Sequence, residues 1–495
     1  MDLDAYRAAA ERFSAELSLA YYRHYAGLSE RLAIEPVYAR HRALFERDAV
    51  LALRERAERA GGEDDDSRRL GALLSFAVEG RLGLCAQELD AELARREALA
   101  EIEVDGATMG LRQALAAQSN EPDRDRREQI ERARLDAIAE RLNPLAAEAL
   151  ARRQAQAREL GWPSYGALFE QLKDIDLAAL ERRTATLLRA TADRYAELLE
   201  PQLRRTAGVG LDRLRRSDLP RLHRDASADA HFPRDRLVES LRDTLAGLGI
   251  DLGAQRNIEL DTQPRPRKSP RAFCAPARVP SEIYLVVAPT GGRDDFAALF
   301  HEAGHAEHYA FTDPALAFEF RHLGDNSVTE AFAFLLERLP DDPAWLRHKL
   351  GVDDAEAIAA HARATRLLII RRYAAKLAYE RRLLGKDAPA AGGAAAAYAQ
   401  RLGDAVGTPW PPETFLSDLD PGFYCANYLR AWALETRLRA ILRERFGERW
   451  FEQAEAGAFL RGLWRTGQRF TAEELDRQLG GDGELGYEAL LAEIG

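Results

Sequence analysis

Three of the ten histidines in the chain lie within eight residues of one another, in the segment AALFHEAGHAEH. On a helix, His301 and His305 project from the same face, so both imidazoles can bind one zinc ion. Glu302 is rotated by about 100° from His301, and its carboxylate can therefore lie beside the metal and take a proton from the attacking water. The alternative is a polar surface helix that matches the HExxH pattern by chance.

A catalytic zinc ion usually has a third protein ligand, and the candidates lie downstream of this helix. Phe311 stands where an HExxHxxGxxH motif would place a third histidine. Glu330 belongs to a later helical pattern that can pack antiparallel to the first, and Glu337, two turns further on, is a second candidate. Glu330 also ends the sequence Ser327-Val-Thr-Glu, so a capping box that satisfies a backbone N–H is an equally good interpretation of the residues alone.

These residues resemble the motif of the thimet oligopeptidase and oligoendopeptidase F family of zinc peptidases and, more distantly, that of angiotensin-converting enzyme. The family pattern HExGHxxH is matched by His301, Glu302, Gly304, His305 and His308. The glutamate ligand of the family falls at the spacing of Glu330, so the resemblance favours a metal ligand over a capping box. The clear part of the resemblance covers roughly residues 265 to 340.

The resemblance implies a mainly α-helical, zincin-type metallopeptidase: an ellipsoid with a deep central channel, one zinc ion on its floor, and a small β-sheet next to the active-site helix. It also implies tyrosines that stabilise the oxyanion of the transition state. The corresponding stretch, DPGFYCANYLRAW, contains Tyr424 and Tyr428, which one helical face could present together. Phe423, Asn427 and Arg430 stand where the family would have further tyrosines, so ordinary helix packing of the two tyrosines is an open alternative.

The segment EIYLVVA, residues 282–288, differs from the helical chain around it. It is rich in β-branched and aromatic residues and lies between Pro280 and the sequence PTGG, which predicts a strand. The strand is either a buried hairpin strand or an edge strand that binds an extended peptide beside the active site. In the second case Tyr284 contacts substrate. Independently of the strand, His308 of the HEAGH segment either contacts substrate or supports the metal site.

Amphipathic helices are predicted for most of the remaining chain, because apolar residues recur every three or four positions. A weak break at Ser119-Asn-Glu-Pro122 divides the chain into a helical lobe of residues 1–120, a possible lid, and a helical catalytic lobe of residues 121–495 that carries the zinc site at 301–330. The alanine-rich run 388–399 is predicted to be a linker. The basic run 265–271 either steers a peptide carboxylate or is a solvated loop.

The composition excludes several classes of protein. With 495 residues, 46% hydrophobic and 31% charged, the chain can bury a sizeable core and is not disordered. Its net charge of -11 disfavours a nucleic-acid partner. The N-terminus lacks the pattern of a secretion signal, and no stretch of about eighteen apolar residues occurs. We therefore expect a cytoplasmic protein without a membrane partner, whose oligomeric state the sequence does not indicate.

Together, these patterns predict a zinc-dependent oligopeptidase that hydrolyses internal bonds of short peptides, with Glu302 as the general base. Two alternatives stay open. The same zinc site could hydrolyse a specialised amide, because the tyrosine cluster is reduced relative to the family. The protein could also be a helical binding protein that holds a peptide or a metal without turnover, although Glu302 would then have no purpose.

Overall fold

Helices form most of the protein. The computed structural model describes residues 1–62, 64–386 and 391–494. The helices before residue 250 are α1 (Leu3–Tyr25), α2 (Glu35–Arg40), α3 (Arg47–Ala60), α4 (Asp65–Leu99), α5 (Leu111–Asn120), α6 (Arg124–Ala137), α7 (Asn143–Glu159), α8 (Tyr165–Lys173), α9 (Leu177–Ala190), α10 (Ala192–Ala207), α11 (Leu219–Arg224) and α12 (Arg236–Gly247). The later helices are α13 (Arg293–Phe311), α14 (Phe318–His322), α15 (Asn326–Glu337), α16 (Pro343–Trp345), α17 (Ala355–Leu384), α18 (Ala391–Val406), α19 (Tyr424–Phe446), α20 (Ala454–Trp464), α21 (Ala472–Gln478) and α22 (Glu488–Ile494).

The predicted linker at 388–399 is wrong where the structure describes it. Helix α18 begins at Ala391 and includes residues 391–399, whereas residues 388–390 lie outside the described ranges. Alanine has the highest helix propensity of all residues, and here it outweighs the cost of two glycines in the run. Among the helices of the described ranges, none combines the length and apolar character that a membrane span requires.

The chain divides into two compact units, each built from separate segments. The first unit contains Met1–Val78, Ser227–Ala359 and Arg430–Glu493, and the second contains Glu79–Ala226, Ala360–Leu429 and Ile494–Gly495. The division of the chain near residue 120 and the lid role of residues 1–120 stay predictions.

A hairpin anchors one part of the second unit. Strands β1 (Glu101–Val104) and β2 (Ala107–Gly110) pair antiparallel, and Gly106 has the positive φ of 73° that the tight turn needs. The strands pack with α5 and α6 around an apolar cluster. Its buried residues include Ile102, Val104, Leu111, Ile130 and Ile138.

A small mixed sheet lies in the first unit, next to the HEAGH helix. Its strands are β3 (Ile258–Asp261), β4 (Phe273–Arg278) and β5 (Glu282–Val286), in the order β3-β5-β4. The predicted strand is confirmed, and the hairpin interpretation holds, since β5 pairs antiparallel with β4. The edge-strand interpretation is wrong, because β5 also pairs in parallel with β3 and is therefore the central strand. Strand β4 is the edge that lies against α13.

Helices α13 and α15 approach each other closely at Gly304, midway along the HEAGH segment. A Cβ atom at this position would lie 2.6 Å from both the Ala333 Cα and the Phe332 carbonyl oxygen. Both atoms belong to the backbone of α15, so no side-chain rotation can relieve such a contact. Glycine is therefore required for the distance between the two helices.

We expect Gly304→Ala to destabilise the protein by about 1–3 kcal/mol, the usual cost of overpacking a core. Alanine favours a helix over glycine by only about 1 kcal/mol, so the steric term decides the sign. The midpoint of urea unfolding measures the effect. The control is Gly71→Ala in α4, where an added Cβ meets nothing within 4 Å; this substitution should stabilise the protein. An unfolding midpoint for Gly304→Ala at or above that of the wild type would contradict the close packing.

Candidate metal-binding active site

The three predicted metal ligands come together where α13 packs against α15. Glu330 Oε2 lies 3.5 Å from His301 Nε2 and 3.7 Å from His305 Nε2. One ligand atom from each residue can be chosen so that all three lie within 4.8 Å of one another. Two imidazole nitrogens and one carboxylate oxygen form a donor set typical of catalytic zinc sites. The residues present therefore fit a zinc ion, and their roles as ligands stay predictions.

The N-terminus of α15 is capped by Asp325, so the capping-box interpretation of Glu330 is wrong. The Asp325 side chain accepts a hydrogen bond from Ser327 N at 2.9 Å. The helix thus begins two residues earlier than the capping box requires. The Glu330 side chain is consequently directed towards the two histidines of α13, and it is 5% exposed.

A buried arginine holds this end of α15 in place. Arg430, at a position where the resemblance would predict a tyrosine, is 1% exposed and donates to both Asp325 oxygens, at 3.0 and 2.7 Å. It also donates to Ser327 Oγ and to Glu473. Asp325 accepts a further bond from Ala472 N. Because the charge of Arg430 is paired with the carboxylates of Asp325 and Glu473, the network stabilises the start of the helix that carries Glu330.

The second nitrogen of each imidazole has a polar partner of its own. His301 Nδ1 lies 2.7 Å from Glu337 Oε2, and the other oxygen of Glu337 accepts from Arg338 at 2.6 Å. His305 Nδ1 lies 2.8 Å from Thr329 Oγ1. Partners of this kind orient the ring and leave Nε2 to face the metal position. Glu337, the second candidate ligand, contacts the far side of His301, which favours a supporting role over direct ligation.

The carboxylates around His301 make the site attractive to a cation. Burial by itself lowers the pKa of His301, but the hydrogen bonds to Glu330 and Glu337 outweigh it and raise the pKa to about 10. Burial raises the pKa of Glu337, but Arg338 and His301 outweigh it and lower the pKa to about 2. Glu337 is therefore ionised at neutral pH. His305 differs, since burial lowers its pKa to about 4.

The proposed general base is held by the edge strand. Glu302 Oε2 accepts a hydrogen bond from the backbone N–H of Cys274, in β4, at 2.9 Å. Burial raises the pKa of Glu302 to about 7, against the opposing effects of His301 and of the Cys274 N–H. One carboxylate oxygen is thus fixed by the main chain of the sheet. No sequence signal indicates this contact, because the donor is a backbone group and any residue except proline supplies it.

The two predicted substrate contacts are placed differently by the structure. His308 is 0% exposed, and its Nε2 lies 3.2 Å from the Gly467 carbonyl oxygen. This burial favours support of the site over contact with substrate. Tyr284 stacks on Tyr22, with 3.7 Å between ring centroids, and donates to Glu282 at 2.7 Å. These contacts account for the tyrosine within the sheet, and its role with substrate stays a prediction.

The two predicted oxyanion tyrosines lie on the first turns of α19, in the second unit. Their rings are neighbours, with 5.1 Å between the centroids of Tyr424 and Tyr428. Tyr428 also meets the edge of Tyr373, 5.6 Å away. One helical face does present both tyrosines, as their spacing predicts, and their role in catalysis stays a prediction.

The basic run 265–271 is neither wholly solvated nor wholly available to substrate. Lys268 is buried and donates to Asp261 at 3.0 Å, and Arg265 donates to the same carboxylate at 2.8 Å. Arg267 pairs with Glu30. These ion pairs fasten the loop to the sheet and to the region after α1. Three of the cations in this run therefore already have anionic partners.

Two solved structures resemble this chain along nearly its whole length. One, PZ peptidase A with inhibitor 2, has a TM-score of 0.71 and 16% sequence identity over 98% of this chain and 90% of the other. The second is a Bacillus anthracis str. Ames protein assigned as oligoendopeptidase F, with a TM-score of 0.66 and 15% identity over 98% and 88% of the two chains. This chain has the oligoendopeptidase fold.

The predicted fold class is confirmed, since the protein is mainly helical and has a small sheet beside the HEAGH helix. No protein-family model matches the sequence, and a comparison with curated proteins finds no match. At identities of 15 and 16% the oligoendopeptidase fold by itself does not establish an activity.

Proposed function

We propose that this protein is a zinc-dependent oligopeptidase that hydrolyses internal peptide bonds of short peptides. One observation supports this most directly: His301, His305 and Glu330 bring three potential ligand atoms within 4.8 Å of one another, next to the partly buried Glu302. A site of three protein ligands leaves a coordination position open for substrate or water, as catalytic zinc sites do. The oligopeptidase fold of the two structural neighbours is consistent with this assignment.

Each side chain has a distinct task in the proposed reaction. A zinc ion held by the three ligands would polarise the scissile carbonyl and acidify the attacking water. Glu302 accepts the proton of that water and then delivers it to the leaving amine. The Cys274 N–H restrains one oxygen of Glu302, so the carboxylate is already oriented before the reaction begins. Glu337 and Arg338 keep the His301 ring in its binding orientation.

The oxyanion of the tetrahedral intermediate needs hydrogen-bond donors. We assign this role to Tyr424 or Tyr428, whose hydroxyl groups are the donors that the resemblance indicates. Short peptides are the proposed substrates, in line with the oligopeptidase fold. The specialised-amide alternative keeps the same metal ligands and changes the substrate, whereas the binding-protein alternative holds a peptide or a metal without turnover.

Metal removal tests this assignment. We expect the purified protein to contain about one zinc per chain, to hydrolyse a panel of unrelated fluorogenic peptides, to lose that activity on dialysis against a chelator, and to regain it when zinc is added. Elemental analysis and initial rates are the measurements. Activity on several unrelated peptides excludes a specialised amide. Bound zinc without hydrolysis of any peptide would favour a binding protein, and activity that survives complete zinc removal would contradict the proposed mechanism.

A further inference from the structure

The two imidazoles of the metal site are supported by chemically different partners. His301 Nδ1 contacts the ionised carboxylate of Glu337, whose charge Arg338 neutralises in part. His305 Nδ1 contacts a neutral hydroxyl, that of Thr329. A carboxylate makes the opposite ring nitrogen a stronger donor than a hydroxyl does, because its charge stabilises the positive ring. His305 is therefore the weaker of the two nitrogen ligands, and its orientation depends on a single uncharged group.

Thr329 is a buried residue of α15 beside His305. It lies one residue before Glu330 on α15, is 2% exposed, and has its Oγ1 2.8 Å from His305 Nδ1. The Tyr309 side chain lies near Thr329. The ring of Tyr309 lies nearly parallel to that of His305, with 17° between the planes and 6.3 Å between the centroids. Tyr309 and His305 are one helical turn apart on α13, and both face Thr329.

The hydrogen bonds permit one consistent arrangement of protons. For His305 Nε2 to offer a lone pair beside Glu330, its Nδ1 must carry the proton and donate it to Thr329 Oγ1. The contact between His305 Nδ1 and Thr329 Oγ1 thus fixes both the tautomer and the plane of the imidazole.

We propose that Thr329 is a positioning residue that holds His305 in its metal-binding tautomer and thereby sets the affinity of the site for zinc. This inference rests on the zinc site proposed above. Thr329, one residue before Glu330, lies outside the HExGHxxH pattern and outside the ligand set.

Zinc affinity, measured by competition with a fluorescent chelator, tests the role of the hydroxyl. We expect Thr329→Val to weaken zinc binding by about 10–100-fold, the usual effect of losing such a partner. Thr329→Ser keeps the hydroxyl and should bind zinc close to the wild-type affinity. The matched control is Thr312→Val, because Thr312 is also 2% exposed and its hydroxyl donates to a backbone carbonyl, that of His308. It should leave zinc affinity unchanged.

The absorption spectrum of the cobalt-substituted protein gives a second readout that general stability does not affect. Thr329→Val should shift the visible bands, and Thr329→Ser should restore them. Wild-type affinity in Thr329→Val, or a loss in Thr329→Ser as large as in Thr329→Val, overturns the inference. If Thr329→Val does not fold, Thr329→Ala replaces it and should weaken zinc binding in the same direction. A wild-type protein that binds no zinc would instead remove the proposed function, and this inference with it.

Discussion

Glu302→Gln is expected to abolish peptide hydrolysis while leaving the zinc content at the wild-type level. Glutamine has nearly the shape of glutamate, and its carbonyl oxygen can still accept the Cys274 N–H that now binds the carboxylate. It has no carboxylate to accept the proton of the attacking water, so general base catalysis is lost. That contribution is typically about 10²–10⁴ in rate. The measurements are kcat/KM on a fluorogenic peptide and elemental analysis of the same preparation.

A matched control separates the loss of the base from the loss of a charge on the helix. Asp294 is exposed and lies on the first turn of α13, the same helix as Glu302. Asp294→Asn makes the same change of charge away from the ligands and should retain wild-type turnover. Full activity in Glu302→Gln would contradict the assigned mechanism. Loss of zinc in that variant would show that Glu302 contributes to the metal site and not only to proton transfer.

Glu330→Ala is expected to lose its bound zinc, an effect as large as the loss of activity in Glu302→Gln. The variant removes the only carboxylate oxygen among the three convergent ligand atoms that the described residues bring together around His301 and His305. Two imidazoles alone hold zinc far more weakly than a three-ligand site, so zinc should fall from about one per chain to a trace after dialysis. Elemental analysis measures the change directly, and peptide hydrolysis should disappear with the metal.

Glu337→Gln provides the graded comparison for Glu330→Ala. Glu337 contacts His301 Nδ1 and not the convergent ligand atoms, so its replacement should weaken zinc affinity by about 10–100-fold and leave the site able to fill at high zinc concentration. Zinc retained in Glu330→Ala, together with zinc lost in Glu337→Gln, would reverse the two roles. That result would make Glu337 the third ligand.

Local periodicity explains which features of the site were predictable. His301 and His305 share a helical face because of their spacing, and Gly304 lies between them at the contact with α15. Strand β5, within the segment 282–288, follows from the β-branched and aromatic composition of that segment. These properties depend on neighbours within one or two turns, and they survive folding because nothing in the tertiary structure opposes them.

Other expectations failed where competing interactions decided the outcome. The strand was predicted with an edge position as one option, but β3 pairs with it and leaves β4 at the edge. The alanine run was predicted to be a linker, but the described part of it is helical. The capping box was predicted as an equal alternative for Glu330, but Asp325 caps the helix instead. A remote strand partner, a helix propensity stronger than the assumed break, and a competing cap two residues before Ser327 determined these three outcomes.

The sequence by itself determined the two histidines, the adjacent carboxylate, and the helix that presents them, because a helical turn is set by residues close together in the chain. The tertiary structure alone decided that Glu330 meets both histidines, that the Cys274 N–H restrains Glu302, and that Thr329 supports His305. These contacts join α13 to α15 and to β4. They depend on how separate elements pack, since no short-range pattern records which hydroxyl or backbone N–H will face a given side chain after folding.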